Sequence, residues 1–345
     1  MNDDPVDRLL DAAESGKSII KNRNVLHFTY LPDVVLHRKD EQEKLTQSLL
    51  PILKQSRPSN LLIYGKPGTG KTLVVKKILT KIQQRVEKSN FPIKLIYTNS
   101  KDETTLYGLL VSIGRQLGLE KEDLPPTGLA TSEVFKRLLK SIEENQYNII
   151  LVIDEIDYLA HLVSKTGKHI LYQLTRANER LKKGSMTLVG ISNDLTFKDR
   201  LDGRVISSLG EEEVVFTNYD VNQLKEILLD RIKEAFLDGV VEASALNLCA
   251  AMAGREHGDA RRAIDLLRVA GEIAERQQSE TVKEEHVRTA SQKMEEDKEV
   301  TALKSYPLHE KLLIIAVMKA SALSTGEIFS AYKSLCKAIR QKELT

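Results

Sequence analysis

The sequence predicts an α/β fold, a parallel sheet covered by helices and followed by a second domain that is helical throughout. Three observations carry this expectation. Five short apolar runs, Leu61–Tyr64, Ile93–Tyr97, Ile149–Ile153, Met186–Ile191 and Glu213–Phe216, read as buried strands separated by helical stretches. Directly after the first run stands a glycine-rich octapeptide, Gly65-Lys66-Pro67-Gly68-Thr69-Gly70-Lys71-Thr72, which opens an apolar helix at Leu73, Val74, Ile78 and Leu79. From Val221 to Glu296 apolar residues recur at helical spacing with little strand signal.

The other elements follow in order. At 345 residues the chain is long enough for two or three domains. Residues 1–22 carry Val6, Leu9, Leu10 and Ala13 at helical spacing and are expected to form a polar helical arm. Asn24 to Arg38 reads as an irregular lead-in, since Leu31-Pro32 breaks any helix. Lys39 to Lys54 reads as an amphipathic helix with Leu45, Leu49, Leu50 and Leu53 on one face. The charged run Glu295-Glu296-Asp297-Lys298-Glu299 marks an expected linker. A third segment begins near Tyr306-Pro307. It holds an apolar helix (Leu312, Leu313, Ile315, Ala316) and a second one after the capping sequence Ser324-Thr325-Gly326-Glu327.

Composition excludes several classes. Apolar residues make up 41% and charged residues 29%, the balance of an ordinary globular chain. The 51 basic and 49 acidic residues leave a net charge of +2, so any nucleic-acid surface must be local. Cys249 and Cys336 are the only cysteines and lack disulfide-framework or zinc-ligand spacing. The acidic start has no apolar core behind it, and no apolar run approaches the ~20 residues needed to cross a bilayer. The expectation is an intracellular, cytoplasmic protein without a membrane partner.

The octapeptide fits G-x-x-x-x-G-K-[ST], the phosphate-binding P-loop. Its glycines let backbone N–H groups close around phosphate oxygens, and the following helix N-terminus adds positive potential. Lys71 is expected to reach the β- and γ-phosphates, and the Thr72 hydroxyl to bind Mg²⁺. Leu151-Val152-Ile153-Asp154-Glu155 is a buried strand ending in two carboxylates, which is costly unless they face a cation or water. Asp154 is the expected Mg²⁺ partner and Glu155 the general base for the attacking water. Asp157 reads as a helix-start residue. Asn193 ends the run from Thr187, either in reach of a γ-phosphate or merely in a turn. Gly258-Asp259-Ala260-Arg261-Arg262 opens a helix with Asp259 as N-cap and Ala260, Ile264, Leu267 and Ala270 as its apolar face. Arg261 then sits in a first turn, where a cation opposes the helix dipole and is either met by an anion such as a γ-phosphate or simply solvated.

These four elements in this order resemble the AAA+ ATPases: Walker A, Walker B at Asp154-Glu155, sensor 1 at Asn193 and sensor 2 at Arg261. The finer resemblance is to archaeal replication initiators of the origin-recognition and cell-division-cycle type. It rests on Leu31-Pro32 with His37-Arg38-Lys39, Pro125-Pro126-Thr127-Gly128-Leu129, Arg204-Val205-Ile206-Ser207-Ser208-Leu209, Gly258 to Ala263 with Leu266-Leu267-Arg268, and Tyr306-Pro307-Leu308-His309-Glu310-Lys311. The resemblance implies an AAA+ P-loop parallel sheet with a helical lid and a C-terminal winged helix. The implied division is an arm at 1–22, the base at 23–219, the lid at 220–300 and the start of a winged helix at 301–345. Only 40 residues run from Tyr306 to the end, so that winged helix is expected to be incomplete. The balance from Lys304 onward is nonetheless basic.

The resemblance further implies ATP or ADP with Mg²⁺ held by Thr72 and Asp154, and catalysis by Glu155, Asn193 and Arg261. Nucleotide contacts are implied for Pro67, Gly68, Thr69, Gly70, Lys71, Thr72, Leu73, Tyr219, Arg231 and Arg261. The segment Leu31 to Arg38 would help enclose adenine, an insertion at about Ser100 to Leu129 would touch DNA, and Arg204 is a candidate finger toward a neighbouring subunit. Implied partners are double-stranded origin DNA, the replicative helicase and other initiator subunits. Two alternatives stay open: a clamp-loader-like subunit, and a scaffold that holds nucleotide with little turnover. Against the clamp loader, its Ser-Arg-Cys-like finger is matched here by Ser207-Ser208-Leu209.

Overall fold

A computed structural model of the chain describes residues 18–89, 91–103, 105–162, 166–319 and 324–344. Five strands form one parallel sheet: β1 (Leu61–Tyr64), β2 (Ile93–Asn99), β3 (Asn148–Asp154), β4 (Ser185–Ser192) and β5 (Glu212–Val215), in the order β2-β3-β4-β1-β5. The strands read as unbroken apolar runs because both faces are covered. Leu151 and Ile153 point to one face, where they join Leu109, Leu110 and Ile113 of α3 (Leu106–Leu117) and Phe135 and Leu138 of α4 (Thr131–Asn145). Ile150 and Val152 point to the other, against Leu45 and Leu49 of α1 (Lys39–Leu49) and Val74, Val75 and Ile78 of α2 (Lys71–Val86). The short helices α5 (Ile156–Leu162), α6 (Thr166–Thr175) and α7 (Gly203–Leu209) pack on the first face, with α3 and α4.

The register positions the site. Asn99 pairs with Asp154, Asp154 with Ile191, and Tyr64 with Ser192. The carboxyl ends of β1, β2, β3 and β4 therefore lie on one rim, where open α/β sheets bind ligands.

Four further helices form the lid: α8 (Val221–Ala235), α9 (Ala243–Arg255), α10 (Ala260–Arg276) and α11 (Glu284–Ser305). Leu224, Leu228, Cys249, Leu266 and Leu267 are at its core. Ile19, Ile20, Val25 and Leu26 are buried in this same core, so the lead-in packs on the lid although the sheet follows it in sequence. Glu275 fastens it, accepting from the Ser18 hydroxyl at 2.7 Å and from the Ile19 and Ile20 amides at 3.1 and 3.2 Å. The expected helical arm at 1–22 lies outside the described residues up to position 17. Residues 18–22 are not helical, and Ile20 makes an isolated bridge to Phe236.

Two further expectations need correction. The helix from Lys39 stops at Leu49 and tightens into a 3₁₀ turn over Leu50–Lys54, because Pro51 has no N–H to continue the ladder. The charged run at 295–299 is not a break: α11 passes through it to Ser305. Glutamate and lysine are good helix formers, and Gln292 donates to Glu296 one turn on, so charge here marks an exposed helix rather than a loop. Beyond it, α12 (Leu308–Lys319) and α13 (Thr325–Ala338) pair around Leu312, Ala316, Tyr332 and Cys336, with Ser324 capping α13. Among the described residues no helix is long and apolar enough to cross a membrane.

Candidate functional site

The octapeptide leaves β1 and turns into α2. Gly68 and Gly70 take φ values of 73° and 91°, the left-handed region that suits glycine. Space enforces the same choice. A Cβ on Gly68 would lie 1.7 Å from Asp259 Oδ1, and one on Gly70 2.8 Å from the Tyr219 hydroxyl. The Lys71 side chain is buried and its Nζ donates to the Gly65 and Lys66 carbonyls at 2.6 and 2.8 Å. Burial pushes this amine down to about 8; Asp154 opposes that shift and Arg261 adds to it. An ammonium held this way gains from any anion brought beside it.

The end of β3 is a node. Asp154 Oδ2 accepts from the Thr72 hydroxyl at 2.8 Å and from the Tyr97 hydroxyl at 2.6 Å, while Oδ1 accepts from the Glu155 amide at 2.9 Å. Burial, and then the bond to Asp154, raise the Tyr97 hydroxyl well above its usual range, so it remains a donor. Glu155 has φ 52°, uncommon for a residue with a side chain. Its backbone carbonyl accepts from the Ser100 hydroxyl, and its carboxylate is ion-paired with Lys101. Asn193 follows β4 on the same rim.

The lid closes over the loop. Asp259 caps α10 by accepting from the Arg261 and Arg262 amides at 2.8 and 3.2 Å, and the Ala260 amide donates to the Gly68 carbonyl at 3.2 Å. The buried face of α10 is Ala263, Leu266, Leu267, Ala270 and Ala274. Ala260 and Ile264, expected on that face, are only partly buried there and also line the nucleotide-side cavity. Arg231 on α8 is 6% exposed and lies over the Tyr30 ring at 4.7 Å. Its Nε and Nη1 have no hydrogen-bond partner among the described residues, and burial lowers its pKa.

These groups surround one cavity of about 1050 Å³. Of the residues expected at nucleotide, Gly68, Gly70, Lys71, Thr72, Leu73, Tyr219 and Arg231 line it, together with Asp154, Glu155, Asn193 and Arg261. Leu31, Pro32, Val34, Val35 and Leu36 form a less polar wall. Pro67 and Thr69 do not line it: Pro67 is exposed, and Thr69 is buried with its hydroxyl on the Lys66 carbonyl at 2.8 Å. Cations at one end, an apolar wall at the other and an orphaned buried guanidinium fit a nucleoside polyphosphate.

Sequence reasoning missed three contributors. Tyr97 and Lys101 come from β2 and the loop after it, which no nucleotide motif marks. The sequence assigns Arg38 only to the segment Leu31 to Arg38 expected to enclose adenine, with no bonding role of its own. Its guanidinium is 3% exposed and joins three segments, donating to the Thr69 carbonyl at 2.9 Å, the Thr217 carbonyl at 2.5 Å and Glu41 at 2.8 Å. It also stacks 3.9 Å from the Tyr219 ring. Arg204, the candidate finger, is on the surface of α7 and paired with Asp202 at 3.1 Å.

Comparison with known proteins agrees with this geometry. Residues 54–197 match the AAA domain, and residues 225–292 match the Cdc6 AAA+ ATPase-type lid domain. An ORC1-type DNA replication protein of Cenarchaeum symbiosum is 69% identical over 342 residues, which cover 99% of this chain and 83% of the relative. The chain belongs to the ORC1-type DNA replication protein family. A member from Thermococcus onnurineus is 43% identical over 351 residues, covering 100% of this chain and 84% of that protein. Among solved structures, the Aeropyrum pernix ORC1 protein in complex with DNA superposes with a TM-score of 0.85 at 42% identity, covering 95% of this chain and 85% of its own. The chain is thus an AAA+ ATPase of DNA replication that binds nucleotide, which sets the clamp-loader alternative aside.

Proposed function

We propose that this chain is an ATP-operated initiator that binds duplex origin DNA and helps recruit or load the replicative helicase, alone or with other initiator subunits. The observation that carries the proposal is that base and lid line a single cavity, Lys71, Thr72, Asp154, Glu155 and Asn193 from one side and Arg231 and Arg261 from the other. A nucleotide there can hold the lid in one position, which is how a slow ATPase works as a switch. The DNA complex of the 42% identical Aeropyrum pernix protein supports the DNA partner. The proposed division is base at 23–219, lid at 220–300 and a winged-helix segment at 301–345, the last boundary falling within the continuous helix α11. The proposed location is the cytoplasm, on the nucleoid.

Each residue has a task. Lys71 exchanges its bonds to the Gly65 and Lys66 carbonyls for phosphate oxygens. Thr72 and Asp154, already 2.8 Å apart, are the residues that would hold Mg²⁺. That ion, when bound, would neutralise phosphate charge. Glu155 takes the proton of the attacking water once its carboxylate turns from Lys101. Asn193 and Arg261 bind the γ-phosphate from opposite sides, and Arg231 closes the lid side.

Footprinting on origin-containing duplex DNA with ATP tests the proposal, for the parent chain and for Glu155→Gln. The expected result is a protected site that persists in Glu155→Gln, which binds ATP but does not turn it over. Origin DNA bound no better than random DNA would sink it. Lys71→Ala is expected to abolish ATP binding; unchanged affinity would remove the P-loop assignment.

A further inference from the structure

Asp157 stands in the first turn of α5, two residues beyond Glu155, where a carboxylate complements the helix dipole. Helix capping does not account for its bonds. Its Oδ1 accepts from the Ser192 hydroxyl at 2.8 Å and from the Asn193 amide at 3.3 Å. Both donors belong to the end of β4, a different strand. Ser192 is fully buried, and its oxygen also accepts from the Asp194 amide at 3.0 Å. One carboxylate oxygen therefore fixes the three residues at which β4 turns away from the sheet.

We propose that Asp157 is a positioning residue for ATP hydrolysis, setting the place of Asn193 relative to Glu155. The inference rests on the γ-phosphate role assigned above to Asn193. The route is short. Glu155 and Asp157 share one turn after β3, and Asp157 holds the backbone of Asn193 directly. β3 and β4 are already paired up to Asp154 and Ile191, and Asp157 carries that coupling past the last ladder pair to Asn193. Placement matters at this level, because a shift of about 1 Å in a reacting group costs up to about a hundredfold in rate. The geometry needs an acceptor at Oδ1 and does not need a charge.

The test compares Asp157→Ala, Asp157→Asn, Asn193→Ala and the double variant Asp157→Ala/Asn193→Ala in steady-state ATP hydrolysis by the full chain. Asp157→Ala is expected to lower kcat about tenfold or more with KM within about twofold, since binding is left and only the transition state loses. Asp157→Asn keeps the acceptor and is expected to recover kcat to within about threefold of the parent. The double variant is expected to match Asn193→Ala alone, as for two residues acting through one group. Hydrogen exchange at the Asn193 amide gives a readout apart from catalysis: faster in Asp157→Ala and parent-like in Asp157→Asn. Should Asp157→Ala fail to fold, Ser192→Ala removes one of the two donors and is expected to speed that same exchange.

Parent-like kcat in Asp157→Ala with impaired Asn193→Ala overturns the positioning role while leaving the sensor role intact. Parent-like Asn193→Ala overturns the sensor role and this inference with it. An Asp157→Asn variant as slow as Asp157→Ala overturns the inference in favour of a charge effect. Multiplicative losses in the double variant overturn it as well.

Discussion

Two hydroxyls share one oxygen at the rim of the sheet. Thr72 and Tyr97 both donate to Asp154 Oδ2, yet only Thr72 belongs to the P-loop. Were Thr72 to turn to Mg²⁺ as proposed, Tyr97 would be the donor that still aims the carboxylate. Tyr97→Phe is therefore expected to raise the Mg²⁺ concentration for half-maximal nucleotide binding about tenfold, the usual cost of losing an outer-shell hydrogen bond. A Mg²⁺ titration of fluorescent-nucleotide binding checks it, and an unshifted curve sinks the idea. Arg38→Ala acts on stability. It strands two carbonyls and the Glu41 carboxylate, so a loss of about 3 kcal/mol is expected in denaturant unfolding. The residues legible in the sequence, Lys71, Thr72, Asp154 and Glu155, are those whose neighbours along the chain form the motif. Tyr97, Lys101 and Arg38 were not legible, because their relation to the site depends on strand register and on a lead-in folded back over the loop. No local spacing encodes either.

At the scale of elements, the strands and α10 were legible because their signals are local: apolar runs for a sheet covered on both faces, an Asp N-cap before an amphipathic helix. The path through 295–299 was not, since a charged run suits a linker and an exposed helix equally until α11 is seen to continue. Of the apolar face expected for α10, Leu267 and Ala270 are fully buried, while Ala260 and Ile264 are only partly so because they face both the lid core and the cavity. α9 offers a direct probe of lid integrity. Cys249 is fully buried in the lid core, and burial pushes its thiol up to about 12. The thiolate is the reactive form, so native Cys249 is expected to resist alkylation at neutral pH and to react once denaturant opens the lid. Mass mapping of the modified peptide follows this, and rapid labelling of the native protein would contradict the packing of α9.

At the scale of the whole molecule, the contact between lid and loop makes nucleotide binding a two-sided event. The Ala260 amide already meets the Gly68 carbonyl, and a Cβ on Gly68 would strike Asp259. A ligand that touched only the base would stabilise only the base. One that also met Arg231 and Arg261 would stabilise the lid, because binding raises the stability of every part it contacts by mass action. At a ligand concentration of about a hundred times Kd that gain is about 2.7 kcal/mol. Hydrogen exchange separates the two cases. Nucleotide is expected to slow exchange at the start of α2 and also along α8 and the first turn of α10. In Arg231→Ala/Arg261→Ala the protection of α2 is expected to remain while that of α8 and α10 falls to the level of the nucleotide-free chain. Lid protection that persisted in the double variant would mean that the loop contact alone positions the lid. Nucleotide would then have no hold on it through these arginines, and the switch would have to act elsewhere.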